Sequence, residues 1–496
     1  VNSADQPAKS PTRKTLTATT LGLLTAATVV TSLRGLPMMA QEELTMFIYI
    51  GFATLLFLIP AGLVAAELGG AFGDRSGGVY TWIGEAFSPR LGFTAIWLQW
   101  IQNVVWYPTG LSFAAAGIAY GIGLPHLAEN NVFVGLFCIF AYWAATAVAL
   151  TGTDLLAKVT KFGFLLGTVF PGLILMALAI SWAASGHAIG WETATNPAVT
   201  TEEHGHHHPR WFPHVAGLGS LAFLGGILLN FAGVEAQATH ATEMRNARRD
   251  YPIAIFIAAA VSFAIFTVGA LAVAAILPYD NISLQTGVFT TFEQAFDKLL
   301  GMKWPVQVLA LLVCYGALGG ALAWLAGPSR GLLATARDGT LPPWLQKTNK
   351  HGMQKSILLV QGTIATLISC IYFLFKNVAT AFFLISAMTI TLYIIMYMLM
   401  YAAAIRLRHT RPDLPRSFAI PGGMAGMLLV AGTGFVAVAF AFVVSFFPPD
   451  QLPIGSPTMY VLLVAAGAVV FTAIPLLIYQ FRKPSWKQQQ PNTGQQ

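Results

Sequence analysis

Residues 230–240 read NFAGVEAQATH, inside an otherwise apolar stretch that begins at Leu218 and is long enough to cross a bilayer. A carboxylate, Glu235, and an imidazole, His240, therefore stand where water is scarce. Gly233 beside Glu235 weakens a helix, and irregular backbone at mid-membrane depth survives only where it is buried in protein or lines a cavity. The stretch predicts a broken helix whose polar residues face a wet pathway.

The rest of the chain is built to match. Of 496 residues, 56% are hydrophobic and only 9% charged, against roughly 25% charged in an average soluble domain. Apolar runs long enough to span a bilayer recur along the whole length. Their Leu, Ala, Val, Ile and Phe content is continuous and not alternating, which favours helices over a barrel. Twelve spans are expected, at about 15–40, 44–68, 92–121, 132–152, 156–183, 215–239, 252–277, 304–326, 355–375, 378–405, 424–447 and 458–481. The first is span-length and lacks a small-residue cleavage site, so it reads as a membrane helix and not as a secretory leader.

A second interruption lies in span 1, where TAATVVTSLRGLP, residues 25–37, places Ser32, Arg34, Gly35 and Pro37 after an apolar half. Spans 1 and 6 are five apart. That separation is expected of two five-helix repeats of opposite orientation, with the substrate held where the two broken helices meet. Half-helix ends offer unpaired N–H and C=O groups able to hold an amino acid's carboxylate and ammonium. The competing reading is that each glycine is a helix-packing contact.

Charge sets the orientation. If the amino terminus is cytoplasmic, 22 of the 27 Lys and Arg fall on inward segments, four (Arg210, Lys298, Lys303, Lys376) face outward, and Arg34 lies within a span. That asymmetry predicts both termini inside, so the net charge of +7 is a topology signal. The basic residues are scattered over seven inward segments and not gathered on one face, which argues against a nucleic-acid surface. Cys138, Cys314 and Cys370 sit inside spans without metal-ligand spacing and read as core residues. Neither a metal nor a cofactor is expected. Nucleotide-binding, metalloprotease and hydrolase motifs do not occur in a fitting context, so an enzyme or a primary pump is disfavoured. The expected organisation is a polar segment at 1–14, a ten-helix core at 15–405, a loop and two peripheral helices at 406–481, and a short tail at 482–496.

At GVEAQATHATEMRNARRDYP, residues 233–252, the chain resembles the amino acid-polyamine-organocation superfamily of transporters, and within it the glutamate/GABA antiporter branch. Supporting matches are GPSRG at 327–331, SFAIPGG at 417–423, FFPPD at 446–450 and the pair Tyr393 and Tyr397. The resemblance implies a LeuT-like core of ten helices in a five-plus-five inverted repeat, with two peripheral helices. It also implies exchange of amino acids or their decarboxylation products across the bacterial inner membrane. Glu235 matches the family's span 6 glutamate, and Tyr393 and Tyr397 match tyrosines lining the path. This chain departs from the family at three places. Gly320 stands where some branch members carry a span 8 glutamate, Arg34 stands where span 1 has an aromatic, and the tail is too short for a closing plug.

Arg34 is the sharpest lead from the residues alone. An arginine near a helix centre costs roughly 2.5–3.5 kcal/mol on insertion scales and generally faces a cavity. Its guanidinium could fork onto a carboxylate, either the substrate's or Glu235, or it could snorkel to the outer surface. Glu235 reads as a protonation switch or as an acceptor for the broken backbone of span 1. In span 3, WLQWIQNVVWYP supplies Gln102, Asn103, Trp106 and Tyr107. Amides can satisfy a zwitterion and aromatics can shape a pocket. Phe231 and Gly233 at the span 6 break and Trp324 in span 8 complete the expected substrate set. His240, Glu243 and Arg330, with Glu67, read as an inward salt-bridge network or gate. The loop HGHHHPRWFPH, residues 204–214, reads as a solvated segment with adventitious metal affinity or as an external acid sensor. The leading expectation is glutamate import against GABA export, with possible service in acid resistance. Proton-coupled uptake, or a transporter-like sensor or channel, are the alternatives. The partners expected are small amino acids and the lipid bilayer, and the oligomeric state is open.

Overall fold

A computed structural model describes residues 17–72, 77–203, 206–236, 246–450 and 456–487. In chain order its main elements are α1 (Ala18–Val29), α2 (Leu33–Ala40), α3 (Glu43–Ala71), α4 (Val79–Ala86), α5 (Pro89–Gly121), α6 (Asn131–Leu150) and α7 (Lys158–Ala184). A short α8 (Gly190–Thr193), strands β1 (Thr200–Glu203) and β2 (His206–Pro209), α9 (Phe223–Phe231), α10 (Ala247–Ile276) and α11 (Gly287–Leu300) follow. The chain continues with α12 (Trp304–Thr335), α13 (Lys355–Ser369), α14 (Val378–Thr410), α15 (Gly423–Val444) and α16 (Pro457–Gln480). Ten described helices are long and apolar enough to cross a membrane, or eleven if the bent pair α1 and α2 is one span. Helix α5, at 33 residues, is also long enough but is not among them. It carries Gln99, Gln102 and Asn103 in the bundle interior.

Local chemistry sets the helix ends. Ser88 accepts the Leu91 N–H (3.3 Å) with Pro89 in the first turn of α5, and Asn377 accepts the Ala379 N–H (2.7 Å) at the start of α14. Helix α5 packs along α12 and α14, and α1 lies on α10. Of its most apolar window α14 buries 89% against 22% for α16, so α14 runs through the centre and α16 faces outward. Where α7 crosses α12, Gly163 and Gly167 lie against Gly316 and Gly319. A Cβ on Gly167 would stand 2.3 Å from the Gly316 nitrogen, so only glycine allows this approach. The three cysteines are free, two of them buried.

The expectation of an all-helical chain needs one amendment. Strands β1 and β2 pair antiparallel, Thr201 opposite His208, Glu202 opposite His207 and Glu203 opposite His206. Arg210 closes the hairpin, its N–H on the Val199 carbonyl (2.7 Å) and its Nε on the Thr200 carbonyl (2.8 Å). The β-branched Thr200 and Thr201 suit a strand, a signal hidden by the run of histidines. His204 lies outside the described residues. Among the described residues no group of three His, Cys, Asp or Glu is placed to hold a metal ion.

Glu67, at the end of α3, ties that end to the loop after α14. Its carboxylate accepts from Arg408 Nη2 (2.7 Å), Arg416 Nε (3.0 Å) and the Ile420 N–H (2.8 Å), and it is almost fully buried. Arg411 and Glu85 make a more exposed pair at 2.8 Å between the same region and α4.

Candidate transport site

Two breaks face each other. Helix α1 stops at Val29, Ser32 is extended and accepts the Arg34 N–H (3.4 Å), and the chain resumes through a tight turn at Leu33–Gly35 with a bend of 55° between α1 and α2. Pro37 sits in the first turn of the new helix, where its missing N–H costs nothing. Helix α9 stops at Phe231, Ala232 is extended, and Gly233 takes φ 109°, a conformation closed to most L-residues. One further turn carries Val234, Glu235 and Ala236.

The first break positions Arg34, which is 6% exposed. Its Nη2 donates to Asn230 Oδ1 (3.3 Å), and its guanidinium carbon stands 5.5 Å from the ring centroids of both Trp106 and Phe382. Asn230, in the last turn of α9, is itself oriented by donating Nδ2 to the Gly226 carbonyl (2.9 Å). Gly35 permits the approach, since a Cβ there would lie 2.4 Å from Asn230 Oδ1. Its place is thus in the contact between the two breaks.

The second break positions Glu235, which is 3% exposed. Tyr393 and Tyr397 on α14 each donate to it at 2.5 Å, and Gln99 Nε2 on α5 donates at 2.9 Å. The Tyr397 oxygen also accepts the Gly233 N–H (2.9 Å), so its own proton is left to donate to Glu235. Three convergent donors suit an acceptor-only carboxylate. This corrects two expectations: Glu235 pairs neither with Arg34 nor with the backbone of α1, because α5 and α14 bring side-chain donors to it from across the bundle.

Two cavities adjoin at these groups. The smaller, of about 40 Å³, is lined by Ser32, Arg34, Gln102, Asn103, Trp106, Asn230, Trp324 and Tyr393 among others. The larger, of about 860 Å³, is lined by Gln99, Lys161, Glu235, Gly320 and Trp324 and extends to Val79 and Trp82 of α4 and to Gly327 and Gly331 of α12. Thr28, Thr31 and Trp324 belong to both. Trp324 is fixed between them, its carbonyl accepting Asn103 Nδ2 (2.6 Å) and its ring lying over Gly233, where a Cβ would approach it to 2.6 Å. The smaller space has room for a few waters or one carboxylate group. The larger can take an entire amino acid.

The remaining expected residues scatter. Phe231 lies behind the smaller cavity, its ring 4.8 Å from that of Phe266, which does line it. Tyr107 is buried at 3.3 Å from Asn103. Gly320 faces the larger cavity near the Thr31 carbonyl and brings no carboxylate there. Arg330 is exposed, with Nη2 3.4 Å from the Met353 sulfur, and borders neither cavity. His240 and Glu243 lie outside the described residues. Sequence reasoning missed Gln99, Asn230 and Phe382. Asn230 opens the deciding stretch, and Gln99 is three residues before Gln102, so a rule flagging every intramembrane amide would have found both.

As chemistry, the site offers a buried guanidinium with unused donors beside a cavity, and a buried carboxylate held by two phenols and an amide beside a second. Comparison with known proteins adds the following. The amino acid permease family matches residues 13–471. An uncharacterized transporter of Legionella pneumophila is 36% identical over 448 residues, covering 90% of this chain and 93% of its own length. A glutamate/gamma-aminobutyrate antiporter of Lactococcus lactis is 30% identical over 463 residues, covering 92% and 88%. A probable agmatine/putrescine antiporter of the same species is 23% identical over 453 residues, covering 88% and 89%.

Proposed function

The chain belongs to the amino acid permease family, and from that premise we propose that it is an antiporter exchanging external glutamate, or a similar amino acid, for internal GABA or a related decarboxylation product. The proposal places it in a bacterial inner membrane with both termini cytoplasmic. It assigns the helices to two inverted five-helix repeats followed by two peripheral helices. The observation that carries the reading is the buried Arg34 beside a cavity at the meeting of two helix breaks, with a larger cavity reached past Trp324. A charge in that position is costly unless an anion arrives to use it. The named activity of the Lactococcus relative supports the choice of substrates.

Alternating access would proceed by rearrangement around the two breaks. Backbone groups at Val30–Ser32 and Ala232–Gly233 would take the ammonium and α-carboxylate of the substrate as that rearrangement releases them from their present partners, among them the Tyr397 oxygen on the Gly233 N–H and the Thr168 hydroxyl on the Thr31 carbonyl. Glu235, clamped to α5 and α14, would link the break in α9 to those helices and so serve as a gate. If the exported product carries one proton more than the imported amino acid, each cycle removes a proton from the cytoplasm and serves acid resistance.

The test loads proteoliposomes of the purified protein with GABA, or leaves them empty, and measures labelled glutamate entry at pH 5 and pH 7. Entry that requires internal GABA is expected. Entry into empty vesicles driven by a pH gradient would mark a proton-coupled uptake permease instead.

A further inference from the structure

Arg34 has five side-chain donors, and its hydrogen-bonding partner among the described residues is one neutral oxygen, Asn230 Oδ1 at 3.3 Å. No carboxylate of a described residue pairs with it. The group is nevertheless 6% exposed and lines a cavity with room for little more than a carboxylate. Trp106 and Phe382 flank the guanidinium and Asn230 holds one of its nitrogens. The flexibility of a free arginine is thereby removed, and the remaining N–H groups form a planar fork matched to a carboxylate.

Which carboxylate follows from the exchange itself, so the inference rests on the antiport reading above. Decarboxylation of an acidic amino acid takes up a proton, releases carbon dioxide and replaces the α-carboxylate by hydrogen. The product keeps the amino group and the side-chain carboxylate, separated by the same number of carbons. A site that must accept both molecules can rely only on what they share. We propose that the Arg34 guanidinium, framed by Asn230, Trp106 and Phe382, is the subsite for the distal carboxylate, the group an acidic amino acid retains after losing its α-carboxylate. A fixed cation there admits glutamate-like and GABA-like molecules alike. It also refuses diamines, which present a second ammonium to the same cavity.

The experiment uses the full chain and has two arms. In detergent, binding of labelled glutamate to the wild type should be displaced by GABA at least about tenfold more effectively than by glutamine, whose distal amide has the same length but no charge. Putrescine should not displace it. In Arg34→Gln the preference for glutamate over glutamine should fall to within about threefold, while Arg34→Lys, which keeps the charge without the fork, should retain part of it. In the second arm the same panel is tested as counter-substrate in proteoliposomes. An unchanged glutamate-to-glutamine ratio in Arg34→Gln, or displacement by putrescine equal to that by GABA in the wild type, overturns the subsite. Binding with the expected preferences but no counter-substrate requirement for flux overturns only the antiport reading. If Arg34→Gln does not fold, the wild-type displacement order and Arg34→Lys still decide the matter.

Discussion

The two phenols on Glu235 look equivalent in distance, yet their loss should not be equivalent. Tyr393→Phe removes one donor from Oε1, which keeps Gln99 at 2.9 Å. The expected cost is that of one hydrogen bond to a charged group, about 1.5–3 kcal/mol. Tyr397→Phe removes the donor of Oε2, and it also removes the acceptor of the Gly233 N–H. That amide sits at the bottom of a broken helix, and an unsatisfied buried donor adds about 1–3 kcal/mol. Tyr397→Phe should therefore be the less stable variant by roughly that second amount. The assay is the thermal unfolding midpoint of each purified variant in one detergent, with Gln99→Leu and the double variant Tyr393→Phe/Gln99→Leu as further points. The double variant strips Oε1 of both donors, so its loss should exceed the sum of the losses in Tyr393→Phe and Gln99→Leu. Equal midpoints for the two phenylalanine variants, or additivity in the double variant, would refute this account of how Glu235 is held.

Three further outcomes are expected. Glu67→Ala leaves Arg408 and Arg416 without their common carboxylate in a buried setting, and should destabilise the protein by roughly 3–5 kcal/mol, read as a large drop in unfolding midpoint. A drop no larger than that of an exposed control such as Glu85→Ala would contradict it. Gly233→Ala forces a β-carbon onto φ 109° and to within 2.6 Å of the Trp324 ring. Strain of about 1–3 kcal/mol is expected, together with altered tryptophan fluorescence as that ring is displaced. Glu42, in the turn between α2 and α3, is buried, and desolvation pushes its carboxyl from the usual 4.5 up to about 8, against an opposing hydrogen bond from Thr45. The folded state thus holds its proton more tightly than the unfolded chain does. That contribution to stability is complete below pH 4.5 and is lost as the pH rises through 8. The midpoint of Glu42→Gln should fall less than that of the wild type over that window, and parallel curves would remove the assignment.

Much of this was legible in the sequence because it is expensive. A glycine beside a glutamate, and an arginine in an apolar run, announce themselves where lipid should be, and the breaks in α1 and α9 fall at those residues. What each charge touches was not legible. Asn230 meets Arg34 across 196 residues and Gln99 meets Glu235 across 136, and both amides look like any other polar residue on an apolar helix. Span 3 shows the difficulty most plainly. Gln99, Gln102 and Asn103 all lie on one helix, but spacing alone does not say that the first reaches Glu235, the second donates to the Gln99 carbonyl one turn back and the third grips Trp324. The hairpin was hidden for another reason. Its histidines drew attention to titration and metals, while Thr200 and Thr201 on the partner strand carried the strand signal.

Where Gly163 and Gly167 rest on Gly316 and Gly319, two rods touch without teeth. Interlocked side chains resist lengthwise slip, since each must leave its notch before reaching the next. Here the register is held instead by close backbone contact and by the Thr160 hydroxyl, which donates to the Gly319 carbonyl across the seam (3.3 Å). A single methyl at Gly167 would act there as a wedge and force the two helices apart.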